Sequence, residues 1–320
     1  MADAASTKKP LLDPRKFRHP DATADGEARA GVTLTRLETL WFNTGTLCNL
    51  TCRNCYIESS PRNDSLVYIT LEEVCDYLDE IERERLGTRE IGFTGGEPFM
   101  NPDMPAVLEA VLSRGFEALV LTNAMKPMMK VRSRLLALRE RYGNRLTVRV
   151  SIDHYSRGVH ELERGRKSWQ PTIEGLHWLT RNGFNVDIAG RLFSGEAETT
   201  VRDGFARLFD REAIDLDAHD PVTLVLFPEM DASLDVPEIS EGCWEKVGTT
   251  PNAMMCASSR MVVKRKGEER PVIVACTLLP YDPQFEVGHT LAETFREVKL
   301  NHPHCAKFCV LGGASCSARE

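Results

Sequence analysis

The sequence predicts an α/β fold: a partial (β/α)6 barrel, TIM-like but open along one side, followed by a C-terminal β-hairpin and a cysteine-rich extension. Three observations predict it. Six short β-rich runs alternate with helical patterns between residues 39 and 247, as parallel strands joined by crossover helices require. After about residue 250 that rhythm gives way to two strand-like runs around a charged turn. The cysteines are grouped, three of the ten within 48–55 and five within 256–316.

In chain order, residues 1–36 are polar and aperiodic, and read as a flexible arm. The β-rich runs follow at 39–46, 90–95, 117–123, 146–153, 184–193 and 221–229. The first helix is predicted to start at Thr70, whose hydroxyl can cap while Glu73 reaches back, and to stop at Gly87, with Leu71, Val74, Leu78 and Ile81 as its apolar stripe. A second starts with Asn101 as cap and Pro102 in its first turn, and further helical patterns fit 127–142, 169–182, 198–210 and 237–247. These units make a barrel domain over 37–249. From 250 to 320 the chain predicts a hairpin around Gly267 with Cys256 and Cys276 at its bases, a short helix near 290–298, and the tail "HCAKFCVLGGASC".

Composition narrows the function. Hydrophobic residues at 42% and charged residues at 27% suit a folded globular chain, and a net charge of −7 speaks against a broad phosphate-binding face. Nucleic acid is not expected as a partner. No apolar stretch approaches the roughly 18 residues of a membrane span, and the N-terminus has no signal-like apolar run. The expected compartment is the cytoplasm, where clustered thiols bind metal more readily than they form disulfides.

Cys48, Cys52 and Cys55 follow the first predicted strand, on the side of the barrel where chemistry gathers. Thiolates suit iron–sulfur clusters or zinc. A structural zinc site takes a fourth ligand, and none is near; three thiolates on a four-iron cube leave one iron open. "CNLTCRNC" has the CxxxCxxC pattern, and with "GGEP" at 95–98 ending the second strand it resembles the radical S-adenosylmethionine (radical SAM) superfamily.

The resemblance implies an enzyme in which SAM binds the open iron of a 4Fe-4S cluster and is reductively cleaved to a 5′-deoxyadenosyl radical that abstracts a substrate hydrogen. It implies cluster ligation by Cys48, Cys52 and Cys55, and a SAM site at Gly95, Gly96, Glu97 and Pro98. Thr122 and Asn123 at the third strand end, Ser151 and Asp153 at the fourth, and Arg164 in "ERG" would complete that site, the arginine as a bidentate partner of the SAM carboxylate. The chain departs from the family in two places. Asn54 stands where an aromatic residue is common, with Tyr56 just after; Ala189 stands where a polar residue is common, with Arg191 as substitute.

The C-terminal region is similar to SPASM and Twitch extensions, which implies one auxiliary 4Fe-4S cluster bound by Cys256 and Cys276 with ligands from Cys305, Cys309 and Cys316. Zinc or plain buried thiols are the competing readings there. Cys75 reads as core, and His302 and His304 as solvent-facing loop histidines rather than ligands. The basic run Lys126 to Arg141 reads as a solvated helix face. The short arm tilts the substrate toward a small molecule, with a peptide or protein as the alternative and an external electron donor such as flavodoxin or ferredoxin implied. A cluster-bearing electron carrier without SAM cleavage is the reading from another class.

Overall fold

The computed structural model describes residues 10–229 and 231–313; Cys316 lies outside them. The strands are β1 (Gly31–Thr33), β2 (Thr39–Asn43), β3 (Glu90–Thr94), β4 (Glu117–Thr122), β5 (Leu146–Ser151), β6 (Asn185–Leu192), β7 (Leu224–Pro228), β8 (Ser259–Val263), β9 (Val272–Val274), β10 (Glu286–Gly288) and β11 (Glu297–Lys299). The helices are α1 (Leu71–Glu84), α2 (Met104–Ser113), α3 (Lys126–Lys130), α4 (Arg132–Tyr142), α5 (Arg157–Arg164), α6 (Trp169–Arg181), α7 (Glu198–Glu212) and α8 (Cys243–Val247).

Strands β2 to β7 lie side by side in sequence order and pair in parallel, the six strands expected of the open barrel. Their C-terminal ends share one rim, because the register pairs Asn43 with Thr94 and Ser151 with Ala189. Apolar side chains fill the sheet: the Phe42 and Phe93 rings stack at 5.9 Å, and the Trp41 indole lies over Gly92, where a Cβ would meet it at 2.5 Å. Burying each such ring contributes about 1.5–3 kcal/mol.

Local signals are honoured where they are strongest. Thr70 caps α1 and Glu73 closes the capping box, although the helix ends on Arg85 in the left-handed region (φ 53°), short of Gly87. The second helix starts later than expected. Pro98–Met100 forms a 3-10 turn, and the Asn101 side chain is occupied with the Ile69 carbonyl and the Asp103 N–H, so α2 begins at Met104. The pattern over 127–142 is broken at Val131 into α3 and α4, and that over 237–247 yields only α8. Helix α5 carries few apolar positions and was not anticipated.

The C-terminal hairpin does not stand apart from the barrel. β8 pairs in parallel with β2, Thr39 opposite Ser259, and β9 and β10 continue the same sheet outward in antiparallel fashion. Gly267 turns the hairpin at φ 87°. In place of a helix near 290–298 there is one turn at Ala292–Thr294 and then β11.

Nor is the N-terminal segment loose where it is described. β1 pairs with β11, Val32 opposite Val298, and Ala30 and Val32 join a small core with Val236, Ile239, Met254, Cys256, Leu300 and Ala306. Arg29, 1% exposed, is ion-paired with Glu238 in that layer. The apolar alternation is too short to register as a strand on its own; the partner strand from the far end of the chain makes it one.

Candidate active site

The rim formed by the strand ends opens onto a cavity of about 950 Å³, counting the space at its mouth. Cys48, Cys52 and Cys55 line it, with Tyr56, Gly95, Gly96, Thr122, Asn123, Ser151, Asp153, Arg164 and Arg191. Residues spread over almost 150 positions therefore face one space, because parallel strands deliver their following loops to the same edge.

The cysteine loop is held from several sides. The Leu50 N–H donates to Cys48 Sγ at 3.4 Å and the Ser59 N–H to Cys55 Sγ at 3.3 Å. Asn54 Nδ2 donates to Glu163 Oε2 at 2.7 Å, and the Arg53 N–H donates to the Glu163 carbonyl at 2.7 Å. Burial pushes the Cys48 thiol up to about 12 and raises Cys52 as well. Such thiols are neutral until a metal's own charge ionises them.

The GGEP turn is fastened to that loop. The Gly96 N–H donates to the Gly45 carbonyl at 2.8 Å and the Glu97 N–H to the Leu47 carbonyl at 3.1 Å. A Cβ on Gly96 would meet the Leu47 oxygen at 2.1 Å, and one on Gly95, at φ 130°, the Gly45 oxygen at 2.6 Å. Both glycines are thus required by the neighbouring backbone, besides facing the cavity. Glu97 and Pro98 lie behind the wall. Glu97 accepts from Thr122 Oγ1 at 2.7 Å, from the Asn123 N–H at 2.9 Å and from the Phe99 N–H at 3.3 Å, which ties the turn to β4. Burial pushes its carboxyl up to about 6 against those three donors.

On the opposite wall Arg164 Nη2 donates to Asp153 Oδ1 at 3.0 Å, while its buried Nε has no hydrogen-bond partner among the described residues. Arg164 lines the cavity, and a guanidinium there suits an anionic group such as a carboxylate. Arg191 lies 3.6 Å from Glu163. Glu163 is the residue missed by sequence reasoning: it joins Asn54, Arg53 and Arg191, yet in "ERG" only the arginine drew notice. Leu278 and Phe308, from the C-terminal extension, close the remaining side.

Leu278 also lines a second, apolar space of about 420 Å³, open solvent included, with Cys256, Cys276, Cys305 and Cys309. Cys305 and Cys309 fall on one face of the turn Cys305–Val310, a wide π-type turn closed by the Leu311 N–H on the Ala306 carbonyl. The Leu278 N–H donates to Cys276 Sγ at 3.4 Å. His304, expected in solvent, is 7% exposed and lines this cavity. Its ring packs T-shaped on His302, which is half-buried. The nine described cysteines form no disulfide, and among the described residues no three His, Cys, Asp or Glu side chains converge as one bound ion requires. Three thiols line the first cavity and four the second, donor sets of the kind iron–sulfur clusters take. Cys75 is half-buried on α1, away from both groups. No described helix is long and apolar enough to cross a membrane.

The chain is similar to known proteins. A family model described as the Radical SAM superfamily matches residues 42–202, just over half of the chain. The antilisterial bacteriocin subtilosin biosynthesis protein AlbA of Bacillus subtilis (strain 168) is 31% identical over 175 residues, which cover 52% of this chain and 37% of AlbA. Mycofactocin maturase MftC of Mycobacterium ulcerans (strain Agy99) is 27% identical over 164 residues, covering 51% of this chain and 42% of MftC. The matched region spans less than half the length of either relative. The crystal structure of Streptococcus suis SuiB bound to precursor peptide SuiA superposes with a TM-score of 0.58 over 88% of this chain and 67% of SuiB, at 12% identity, a likeness of fold.

Proposed function

This chain belongs to the radical SAM superfamily, and from that premise we propose that it cleaves SAM at a 4Fe-4S cluster held by Cys48, Cys52 and Cys55 and uses the reaction to modify a peptide. The observation that supports it most is the shared cavity: three thiols, the glycine turn and the Asp153–Arg164 pair face one space at the strand ends. When bound, the cluster and SAM supply the electron transfer and sulfonium cleavage that start hydrogen abstraction.

The chain's own residues do the rest. Cys48, Cys52 and Cys55 hold three corners, with backbone N–H groups on two of the sulfurs moderating their charge. Gly95 and Gly96 leave room beside the thiols, and Arg164, braced by Asp153, offers its free edge to the SAM carboxylate. Tyr56, Thr122, Asn123, Ser151 and Arg191 orient the remainder of the cosubstrate. Leu278 and Phe308 exclude water on the side where a radical would otherwise be quenched. Cys256, Cys276, Cys305 and Cys309 would hold an auxiliary 4Fe-4S cluster, a cysteine set that suits passing an electron onward. An external one-electron donor of the flavodoxin or ferredoxin class supplies the first electron.

For the substrate, the sequence-based expectation is a small molecule. Two observations favour the peptide instead. An open cleft lined by Glu58, Glu229, Asp231 and His304 shares Asn54, Cys55, Tyr56 and Arg191 with the inner cavity, which offers an extended chain a seat without an extra domain. Among the relatives are a bacteriocin biosynthesis protein and a maturase, at higher identity than a GTP 3',8-cyclase of Psychromonas ingrahamii at 22%, and SuiB has been crystallised with a precursor peptide.

Anaerobic incubation of the iron-loaded protein with SAM, dithionite and a short peptide encoded beside its gene tests the reading. Formation of 5′-deoxyadenosine together with a mass change in the peptide is expected. Iron without SAM cleavage under strong reductant would end the enzyme reading. SAM cleavage with conversion of a small metabolite and no peptide would end the peptide assignment alone.

A further inference from the structure

Among the described residues three arginines are essentially fully buried: Arg29, Arg149 and Arg260. Two have a carboxylate partner, Arg29 with Glu238 and Arg149 with Asp187. Arg260 has none among the described residues. Its guanidinium donates only to backbone carbonyls, from Nη1 to Cys256 at 2.6 Å and Ser259 at 2.8 Å and from Nη2 to Thr294 at 2.9 Å, and its Nε has no partner at all. The titratable groups that act on it are the Cys256 and Cys276 thiols and a second cation, Arg296. Carbonyls satisfy N–H groups but do not neutralise a charge, and a buried guanidinium with no carboxylate partner among the described residues is a costly arrangement for a chain to keep.

The cost disappears when the thiols are ionised. A 4Fe-4S core held by four thiolates carries net negative charge that grows on one-electron reduction, and Arg260 stands at the base of the hairpin with its Nη1 on the carbonyl of one of those ligands, Cys256. We propose that Arg260 is the counter-cation of the auxiliary cluster seated among Cys256, Cys276, Cys305 and Cys309, and that its charge raises the potential of that cluster's one-electron couple. The inference rests on the auxiliary-cluster reading above and adds the residue that tunes it. A cation beside the cluster favours the more negative, reduced form. Removing the cation lowers the potential.

The test compares wild type, Arg260→Met and Arg260→Lys, each reconstituted with iron and sulfide, by dithionite titration followed by electron paramagnetic resonance. At a fixed solution potential the reduced-to-oxidised ratio of the auxiliary cluster falls about tenfold in Arg260→Met, about 59 mV for one electron, while Arg260→Lys stays close to wild type. The catalytic cluster at Cys48, Cys52 and Cys55 keeps its potential in both variants and serves as the internal reference. An unshifted auxiliary couple in Arg260→Met, or an equal shift in both variants, overturns the proposal. If Arg260→Met fails to retain the second cluster, Arg260→Lys decides: retention near the wild-type potential supports a charge role, and loss there overturns it. Wild type with one cluster's worth of iron overturns the auxiliary-cluster reading itself; two clusters with an unshifted couple overturn this inference alone.

Discussion

The Asn54 amide lies 2.7 Å from the Glu163 carboxylate, and through that contact the middle of the cysteine loop is tied to helix α5, 109 residues further along the chain. Glu163 is 4% exposed, so removing its partner leaves a buried carboxylate short of a donor. Asn54→Ala is expected to cost about 1.5–3 kcal/mol locally. The reconstituted variant then loses iron to a chelator several-fold faster than wild type, followed by the decay of visible absorbance. Equal rates would show that the loop is held by its other contacts.

Gly96 admits no side chain. A Cβ there would meet the Leu47 and Thr46 carbonyl oxygens at 2.1 and 2.8 Å, and both belong to the segment leading into Cys48. Gly96→Ala therefore pushes the GGEP turn and the cysteine loop apart, at a cost of about 1–3 kcal/mol or more. The expected result is a lowered melting temperature together with poor iron uptake at the catalytic site. A variant that melts and loads like wild type would mean that the two segments separate freely.

The roles proposed for the two cysteine groups are separable by experiment. Wild-type protein prepared without oxygen is expected to hold about eight irons, two 4Fe-4S clusters' worth. Cys52→Ala and Cys256→Ala each bring the content to about four irons, but by removing different clusters. Reductant-dependent 5′-deoxyadenosine vanishes in Cys52→Ala and persists in Cys256→Ala. Loss of SAM cleavage in both would mean that the auxiliary site is needed for the first step.

His160 makes the fold acid-sensitive. The ring is 0% exposed, neither nitrogen has a hydrogen-bond partner among the described residues, and burial, aided by Arg164, depresses it to about 4. As pH falls, the unfolded chain takes up this proton first. Its contribution is complete above the ordinary histidine value of 6.5 and is lost as pH drops toward 4, on the order of 3 kcal/mol in all. His160→Phe can keep the T-shaped contact with Trp169, at 5.3 Å between centroids, and removes the titration. Urea unfolding of the iron-free protein between about pH 7 and pH 5 is expected to show a flatter profile for the variant. Parallel profiles would assign the acid sensitivity to other groups.

Much of this was written in short stretches of sequence. The alternation that marks β2 to β7, the Thr70–Glu73 capping box and the CxxxCxxC run each depend on residues a few positions apart, where helix and strand periods and chain geometry act directly. The strand-end placement of Thr122, Asn123, Ser151 and Asp153 followed from the same periods, since a parallel sheet sends every such loop to one rim. By contrast, α5 left little trace, because eight residues with two apolar positions are helical only once His160 packs on Trp169.

What pattern could not report was how distant segments meet. The Gly31–Thr33 stretch is a strand because Glu297–Lys299 lies beside it, and the hairpin extends the barrel sheet because β8 found β2. Gly96 is fixed by the Leu47 carbonyl, Asn54 by Glu163, and Arg260 is left on backbone carbonyls with no carboxylate partner among the described residues. Local conformational preference and hydrophobic period are carried by neighbours along the chain, whereas a buried charge's partner is set by packing between elements that the chain brings together only on folding.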